Sequence, residues 1–454
     1  MEKFYELRNK YPVFEYLSYE IEETSNAIEV AYNFNIPGLT EFKPTWSFPK
    51  VNTFPLSNND KKLLERMIFN LGMVEVVSYL KSTCSPKLIV KAGSLSKEQI
   101  DWFKKLYLNG LGEFFYINGL VEAMNIDTFL EIEAEDGGQE VLNLDRKLNG
   151  NLIPVGGGKD SAVTLEILKE YDNTCYIVNP RGASLECAKI AGYEEKDIYN
   201  AKRVLDTRLI DLNKQGFLNG HTPFSAILAF SSYISAIICG RKNIALSNEA
   251  SANEANVEGT NINHQYSKSI EFENDFRNYI DKFVCKNGPN YFSMLRPLSE
   301  WQIVKAFVKE PKYFEIFKSC NVGSKSDSWC ENCPKCLYVY IMMAAVLNDN
   351  DMKRIFKTNM LDNKELKKIF NGLVYPDYDK PFECVGTKEE INLSIKMIID
   401  KCKREGKNVP ELLKEYAIEN TNSLDEEIEK AKQHWNSENN LTEEFVIKLK
   451  EYIK

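Results

Sequence analysis

Two stretches of this 454-residue chain carry side chains whose types and spacing do chemistry. The first is PVGGGKDSAVTLEIL at 154–168, in which Gly156, Gly157 and Gly158 are followed by Lys159, Asp160 and Ser161. Glycines let backbone N–H groups close on an anion, and the start of a helix adds partial positive charge. Strand, glycine loop and helix in that order therefore make a phosphate site. Residues 153–155 read as the end of a buried strand, and Val163, Leu165, Ile167 and Leu168 have helical spacing. The second stretch is SCNVGSKSDSWCENCPKC, in which Cys320, Cys330, Cys333 and Cys336 follow the pattern C-x9-C-x2-C-x2-C. One loop with this spacing wraps four thiolates tetrahedrally around Zn²⁺. Such a closed site fixes the loop and the helix after it rather than acting on substrate.

The kind of phosphate is narrowed by elimination. A Walker loop needs glycine where Ile153 stands and Ser or Thr where Asp160 stands. The dinucleotide fingerprint needs Gly or Ala at Ser161 and an acidic residue after the second strand, where VNPR occurs. The stretch instead resembles the SGGxDS pyrophosphatase loop of enzymes that split ATP between its α and β phosphates, with Gly156 in place of the first serine. That resemblance implies that Gly157, Gly158 and Ser161 hold the departing pyrophosphate. Lys159 then offsets its charge and Asp160 binds Mg²⁺. Gly156 lacks the serine hydroxyl and keeps the amide. Loop and cysteines together also resemble 7-cyano-7-deazaguanine synthase, a shorter zinc-containing ligase that leaves both ends of this chain unexplained.

The elements that must position these residues can be read from periodicity. Segments 13–22 and 27–36 alternate as strands around the polar ETSN, a hairpin pattern. Helical patterns follow at 61–81 and 97–111, the latter with Ser96 as its cap. The polar stretch 133–151 reads as a loop and domain boundary. From 151 short apolar runs (LIPV, TCYIV, NIAL) alternate with helices, as in βαβ units with a parallel sheet. Beyond 345 the chain is charged and helical. The expected organisation is an α+β domain at 1–145, an ATP-binding domain with the cysteine cluster at 146–345 and a helical region at 346–454.

Composition sets the outer limits. The 57 basic and 66 acidic side chains, formal net charge −9, disfavour non-specific nucleic-acid binding. No uncharged apolar run approaches the ~20 residues of a membrane helix, and MEKFYELRNKYP lacks a signal-peptide core. A cytoplasmic protein with reduced or metal-bound thiols is expected, with no membrane insertion.

Five more stretches are too polar for core: GLGEFFYINGL (110–120), NGHTPFSA (219–226), ALSNEASANEANVEGTNINHQYSKSIEFE (245–273), RPLSEWQ (296–302) and KPFECVG (380–386). In this order, with the loop and the cysteines, they resemble the UDP-N-acetylmuramoyl-L-alanyl-L-glutamate epimerase family over about 36–386. The resemblance implies an α/β, parallel-sheet adenine nucleotide alpha hydrolase-like (PP-loop, HUP) core, with an N-terminal α+β domain and a helical C-terminal part. It implies a peptidoglycan-precursor enzyme that uses ATP and Mg²⁺ to invert the terminal glutamate of a UDP-linked muramoyl dipeptide, releasing AMP and pyrophosphate. Adenylation explains the need for ATP: it cancels the carboxylate charge that opposes removal of the α-proton.

The same resemblance assigns the remaining residues. Ser247, Asn248 and Glu249 follow the strand ending at Leu246, at the carboxyl edge of the sheet where open α/β folds bind ligands. Glu249 and Glu254 either assist Mg²⁺ or are solvated loop charges. Lys268 and Arg296 suit carboxylate or diphosphate. His264, one of three histidines, suits substrate contact, and Cys384 and His221 are candidate acid–base groups, so the inverting pair stays open. Two other readings are a carboxylate-adenylating ligase and a nucleotide sensor that keeps the loop without turnover.

Overall fold

A computed structural model describes residues 1–51, 55–137, 140–144, 146–257, 259–416 and 424–454. The chain divides into two compact units. One contains Met1–Leu152, Tyr199–Ile244 and Thr260–Tyr291, the other Ile153–Ile198, Ala245–Gly259 and Phe292–Lys454.

In the first unit the expected hairpin is present. Val13–Glu23 and Ala27–Ile36 pair antiparallel, from Glu15↔Asn35 to Glu23↔Ile28, with an irregularity between Tyr16 and Ser18. Thr45–Pro49 pairs antiparallel with Ala27–Ile36 and with Ile198–Val204. Lys87–Ser94 and then Glu131–Glu135 add in parallel beyond Val13–Glu23, so the pairing is mixed. The helix Asn58–Leu80 begins at a capping box between Ser57 and Asp60, and every residue over 67–80 is buried. Burial on all sides explains its lack of a polar stripe. It lies so close to the sheet that a Cβ at Gly72 would collide with Tyr16 Oη, and Tyr32 Oη donates to the Ile68 carbonyl at 3.0 Å.

The second unit begins with the strand end, glycine loop and helix Lys159–Ile167, then the strand Asn173–Val178 and the helix Gly182–Ile190. Val155 N–H donates to the Tyr176 carbonyl at 2.9 Å, so the first and second strands are neighbours. The late helices Pro334–Ala344, Lys367–Val374, Lys388–Glu405 and Glu443–Ile453 bury their apolar faces in the same core. Ile391, Ile395 and Ile398 present one stripe to it, and the Phe445 ring packs on Phe292 at 5.0 Å between centroids.

Two expectations change. The expected division at 1–145, 146–345 and 346–454 is not the grouping by contact: the chain returns twice to the first unit, and the helices beyond 345 bury apolar residues in the core that the glycine-loop helix also joins. The polar stretch 133–151 is partly strand, since Glu131–Glu135 extends the sheet and Leu142–Asn143 pairs with Cys285–Lys286. Backbone pairing there overrides a composition typical of loops. Residues 138, 139 and 145 of that stretch lie outside the described residues. Among the described residues no helix is long and apolar enough to cross a membrane.

One buried ion pair locks the first unit. Glu75, fully buried, accepts from Trp46 Nε1 at 2.8 Å and from Arg203 Nε and Nη2 at 2.6 and 2.7 Å. Removing one partner leaves the other charge buried and unpaired. Glu75→Ala should destabilise the protein by about 3–5 kcal/mol in denaturant unfolding.

Candidate active site

The glycine loop of the second unit is fixed by sterics. Gly157 has φ +85°, and a Cβ there would lie 2.7 Å from the backbone of Ala183 and Ser184, so only glycine fits. A Cβ at Gly158 would meet Ser319 Oγ at 2.8 Å. Gly156 differs: its nearest neighbour would be Ser161 Oγ at 3.8 Å, so a side chain has room. Its N–H donates to Ser161 Oγ at 3.1 Å, and Lys318 N–H donates to the Gly157 carbonyl at 2.9 Å.

Lys159 opens the helix and is 1% exposed, with Nζ on Glu300 Oε2 at 2.6 Å and on Asp160 Oδ1. Burial alone would depress the ammonium, but Asp160, Glu300 and Glu249 outweigh it and raise Lys159 above its ordinary value. Burial pushes the Glu300 carboxyl up, with Lys159 opposing and Asp160 and Glu249 adding. Glu300 is the first residue of the helix Glu300–Phe307, which starts at a capping box between Ser299 and Gln302, and its N–H donates to Glu390 Oε1 at 2.7 Å. Asp160 and Glu300 at the ammonium offer hard oxygen atoms of the kind that a divalent cation such as Mg²⁺ takes.

Other expected residues brace this cluster. Arg296 is fully buried and donates to the Glu249 carbonyl at 2.8 Å and to Ser293 Oγ at 3.3 Å. Asn248 Nδ2 donates to the same Ser293 Oγ at 3.0 Å. The buried Ser247 Oγ has no hydrogen-bond partner among the described residues, which leaves one polar atom for a ligand. Glu254 pairs with Lys380, and the carbonyl of Cys384 accepts from Lys335 Nζ.

The sulfurs of Cys320, Cys330, Cys333 and Cys336 lie within 4.8 Å of one another, with Cys320–Cys333 at 3.9 Å and Cys330–Cys336 at 3.7 Å. Backbone N–H groups point at them: Gly323 to Cys320 Sγ at 3.1 Å and Cys336 to Cys333 Sγ at 3.5 Å. The donor set fits Zn²⁺.

The first unit holds a separate constellation. Glu113 Oε2 lies 2.5 Å from His264 Nδ1 and 3.6 Å from His221 Nδ1, and the two imidazoles are 4.3 Å apart between centroids. Glycines let the helix Gly112–Ile117, which carries Glu113, meet the loops that carry His221 and His264. A Cβ at Gly110 would lie 2.7 Å from the Pro223 ring, a Cβ at Gly220 would lie 3.1 Å from Phe114, and Gly112 faces the backbone of Ile262 and Asn263. Burial first, then His264, Lys81 and Lys268, lowers His221 to about 3, so it is neutral at pH 7. Burial, with Arg203 adding, lowers Lys81 to about 8, and Glu113 opposes the shift. Lys81 also holds the His221 loop, donating to the Gly220 carbonyl and to Thr222 Oγ1 at 2.7 Å.

With this geometry in hand, the chain was compared with known proteins. Residues 5–294 match the MurL N-terminal domain and residues 316–429 the MurL C-terminal domain. The chain belongs to the MurL family. It is similar to UDP-N-acetyl-alpha-D-muramoyl-L-alanyl-L-glutamate epimerase of Xanthomonas oryzae, 31% identical over 77% of this chain and 78% of the relative. It is also similar to the proteins of that name from Salinispora tropica, 33% identical over 77% and 78%, and Micromonospora sp., 31% identical over 78% and 80%. No solved structure matches. The MurL N-terminal match contains the glycine loop and the Glu113, His221 and His264 cluster, and the C-terminal match contains the four cysteines and Cys384. Glu300 lies between the two matched stretches.

Sequence reasoning missed Glu113 and Glu300. Both lay in quoted polar stretches: Glu113 follows the paired glycines of GLGE, and Glu300 sits inside the Ser299–Gln302 capping pattern. For the loop, Gly157→Ala should lower stability by at least ~1 kcal/mol in thermal unfolding, because the native φ and the space are both incompatible with a side chain. Gly156→Ser should leave the transition within a few tenths of a kcal/mol, since surroundings already accommodate its Cβ.

Proposed function

We propose that this protein is an ATP-dependent epimerase of the terminal glutamate in UDP-N-acetylmuramoyl-L-alanyl-L-glutamate, acting in peptidoglycan precursor synthesis on a PP-loop, HUP-type core. The observation that carries the reading is the meeting of Asp160 and Glu300 at the buried Lys159 ammonium, on a glycine loop that opens a helix. The names of the relatives support the substrate and the inversion.

In this reading the glutamate carboxylate attacks the α-phosphorus of ATP and the bond to pyrophosphate breaks. The amides of Gly157 and Gly158 and the Ser161 hydroxyl hold the pyrophosphate, with Lys159 countering its charge. Asp160, Glu249 and Glu300 would hold Mg²⁺, which when bound neutralises phosphate charge. Ser247, Asn248 and Arg296 line or brace the nucleotide side, and Lys268 serves a substrate carboxylate. The acyl adenylate has lost the charge that opposed deprotonation, so the α-proton can leave and the electrons spread into an enolate. Return of a proton to the other face and hydrolysis give the D-glutamyl product, AMP and pyrophosphate. His264 and Cys384 are the candidate proton carriers.

Turnover with ATP, Mg²⁺ and the dipeptide nucleotide in D₂O should yield AMP, pyrophosphate and a D-glutamyl product carrying deuterium at its α-carbon. A new amide with retained configuration, or ATP binding without AMP, contradicts the proposal. Asp160→Ala should abolish AMP release, and normal turnover by this variant would remove Asp160 from the metal site.

The four thiolates, in the same proposal, hold a structural Zn²⁺ that anchors the loop to the helix Pro334–Ala344. Native protein should contain about one zinc per chain by elemental analysis, and Cys333→Ser should lose the metal and lower the thermal transition. Metal-free native protein with an unchanged transition contradicts this assignment.

A further inference from the structure

We infer that the four-cysteine loop sets the shape of the glycine loop, so that zinc at the cysteines and an anion at the glycines raise each other's affinity, with Asp327 as the positioning residue that links them. The inference rests on the proposed zinc and pyrophosphate sites and adds a coupling between them. All of its residues belong to the second unit. Lys318 and Ser319, which lead into Cys320, touch the glycine loop directly. Lys318 N–H donates to the Gly157 carbonyl at 2.9 Å, where the buried Cys187 thiol also donates at 3.6 Å. Ser319 Oγ stands 2.8 Å from where a Cβ at Gly158 would lie. Asp327, between Cys320 and Cys330, makes the second connection. Its Oδ2 accepts from Gly182 N–H at 2.9 Å and its Oδ1 from Ala183 N–H at 3.1 Å, which pins the start of the helix Gly182–Ile190. That helix start is the surface on which Gly157 packs, since a Cβ there would lie 2.7 Å from the backbone of Ala183 and Ser184. Gly157 is therefore set twice by one loop, directly through Lys318 and through Asp327 by way of the helix.

The cysteine loop needs to be held in this form. Asp327 has φ +45° and Glu331 φ +54°, a left-handed conformation that residues with side chains keep only when their surroundings impose it. Gly323 is packed so closely that a Cβ would collide with the Ser328 carbonyl oxygen, and Ser328 N–H donates to the Gly323 carbonyl at 3.1 Å. Gly323 N–H in turn donates to Cys320 Sγ at 3.1 Å. Four thiolates drawn onto one ion fix Cys320 and Cys330, the two ends of the segment that carries Asp327. Release of those ends loosens the hold of Asp327 on the helix start, and the amides of Gly157 and Gly158 lose their aim at an anion. Coupling between two binding equilibria is reciprocal, so an anion that orders the glycine loop also tightens the cysteine site.

The test measures two affinities in the full chain: that for inorganic pyrophosphate with Mg²⁺, by titration calorimetry, and that for zinc, by competition with a chromophoric chelator. Zinc-loaded Asp327→Ala should keep its metal and its fold yet bind pyrophosphate at least about fivefold more weakly. Asp327→Asn, which retains one acceptor oxygen, should recover part of the loss. In the wild type, saturating pyrophosphate should raise zinc affinity at least about fivefold, and in Asp327→Ala that factor should shrink toward one. A cysteine site that merely stabilises the fold would leave zinc affinity indifferent to pyrophosphate. Because Asp327→Ala is compared with its zinc in place, the result does not depend on a zinc-free fold. Unchanged or tighter pyrophosphate binding by this variant, or zinc affinity that ignores pyrophosphate in the wild type, would each overturn the inference. Native protein that carries no zinc would overturn it together with the zinc assignment. Zinc-loaded wild type that binds neither pyrophosphate nor ATP would instead overturn the nucleotide site of the proposed function.

Discussion

A lysine ammonium taken fully out of water must be paired, and in this protein the pairing of Lys159 with Glu300 and Asp160 sets the arrangement around it. The ammonium brings the start of the glycine-loop helix to the start of the helix Glu300–Phe307. Glu300 is in turn tied through its N–H to Glu390, the acidic partner in the capping box of Lys388–Glu405. Arg296 holds the Glu249 carbonyl, so the segment after the strand Arg241–Leu246 is drawn into the same network. Removal of one charge would leave its partners uncompensated, which is why four sequence-distant segments are held in one geometry.

The glycines divide by function. Gly157 and Gly158 are required by contacts with neighbouring backbone and side chain, whereas Gly156 has space for a side chain. The absence of serine at Gly156 is therefore not forced by packing. Ser161 already occupies the Gly156 amide, so the hydroxyl that a serine would add is not needed to satisfy that N–H. In the first unit glycines work differently. Gly110, Gly112 and Gly220 remove bulk so that loops carrying His221 and His264 can approach Glu113. Both constellations use small residues to bring charged ones into contact.

What the sequence made legible was local. Periodicity located the hairpin 13–36 and the helices before and after the glycine loop, and the cysteine spacing foretold four sulfurs within 4.8 Å. The polar stretches contain Glu113, His221, His264 and Glu300. What stayed hidden were pairings across long separations: Lys159 with Glu300, and Glu113 with His264, in which neither residue's neighbours hint at its partner. Arg296 is read from sequence as a candidate for carboxylate or diphosphate because arginine makes forked bonds; its bond to the Glu249 carbonyl is a long-range contact that residue type alone does not reveal. The return of the chain to its first unit was invisible for the same reason, since an alternating strand and helix pattern does not say which core each strand joins.

The central claim is that ATP activates the glutamate carboxylate by adenylation. Substrate labelled with ¹⁸O in the terminal glutamate α-carboxyl tests it most directly. When the carboxylate oxygen attacks the α-phosphorus and water later hydrolyses the acyl adenylate at carbon, one labelled oxygen passes to AMP, and the mass of AMP should rise accordingly. AMP without label, formed alongside a D-glutamyl product that keeps all its ¹⁸O, would contradict the account.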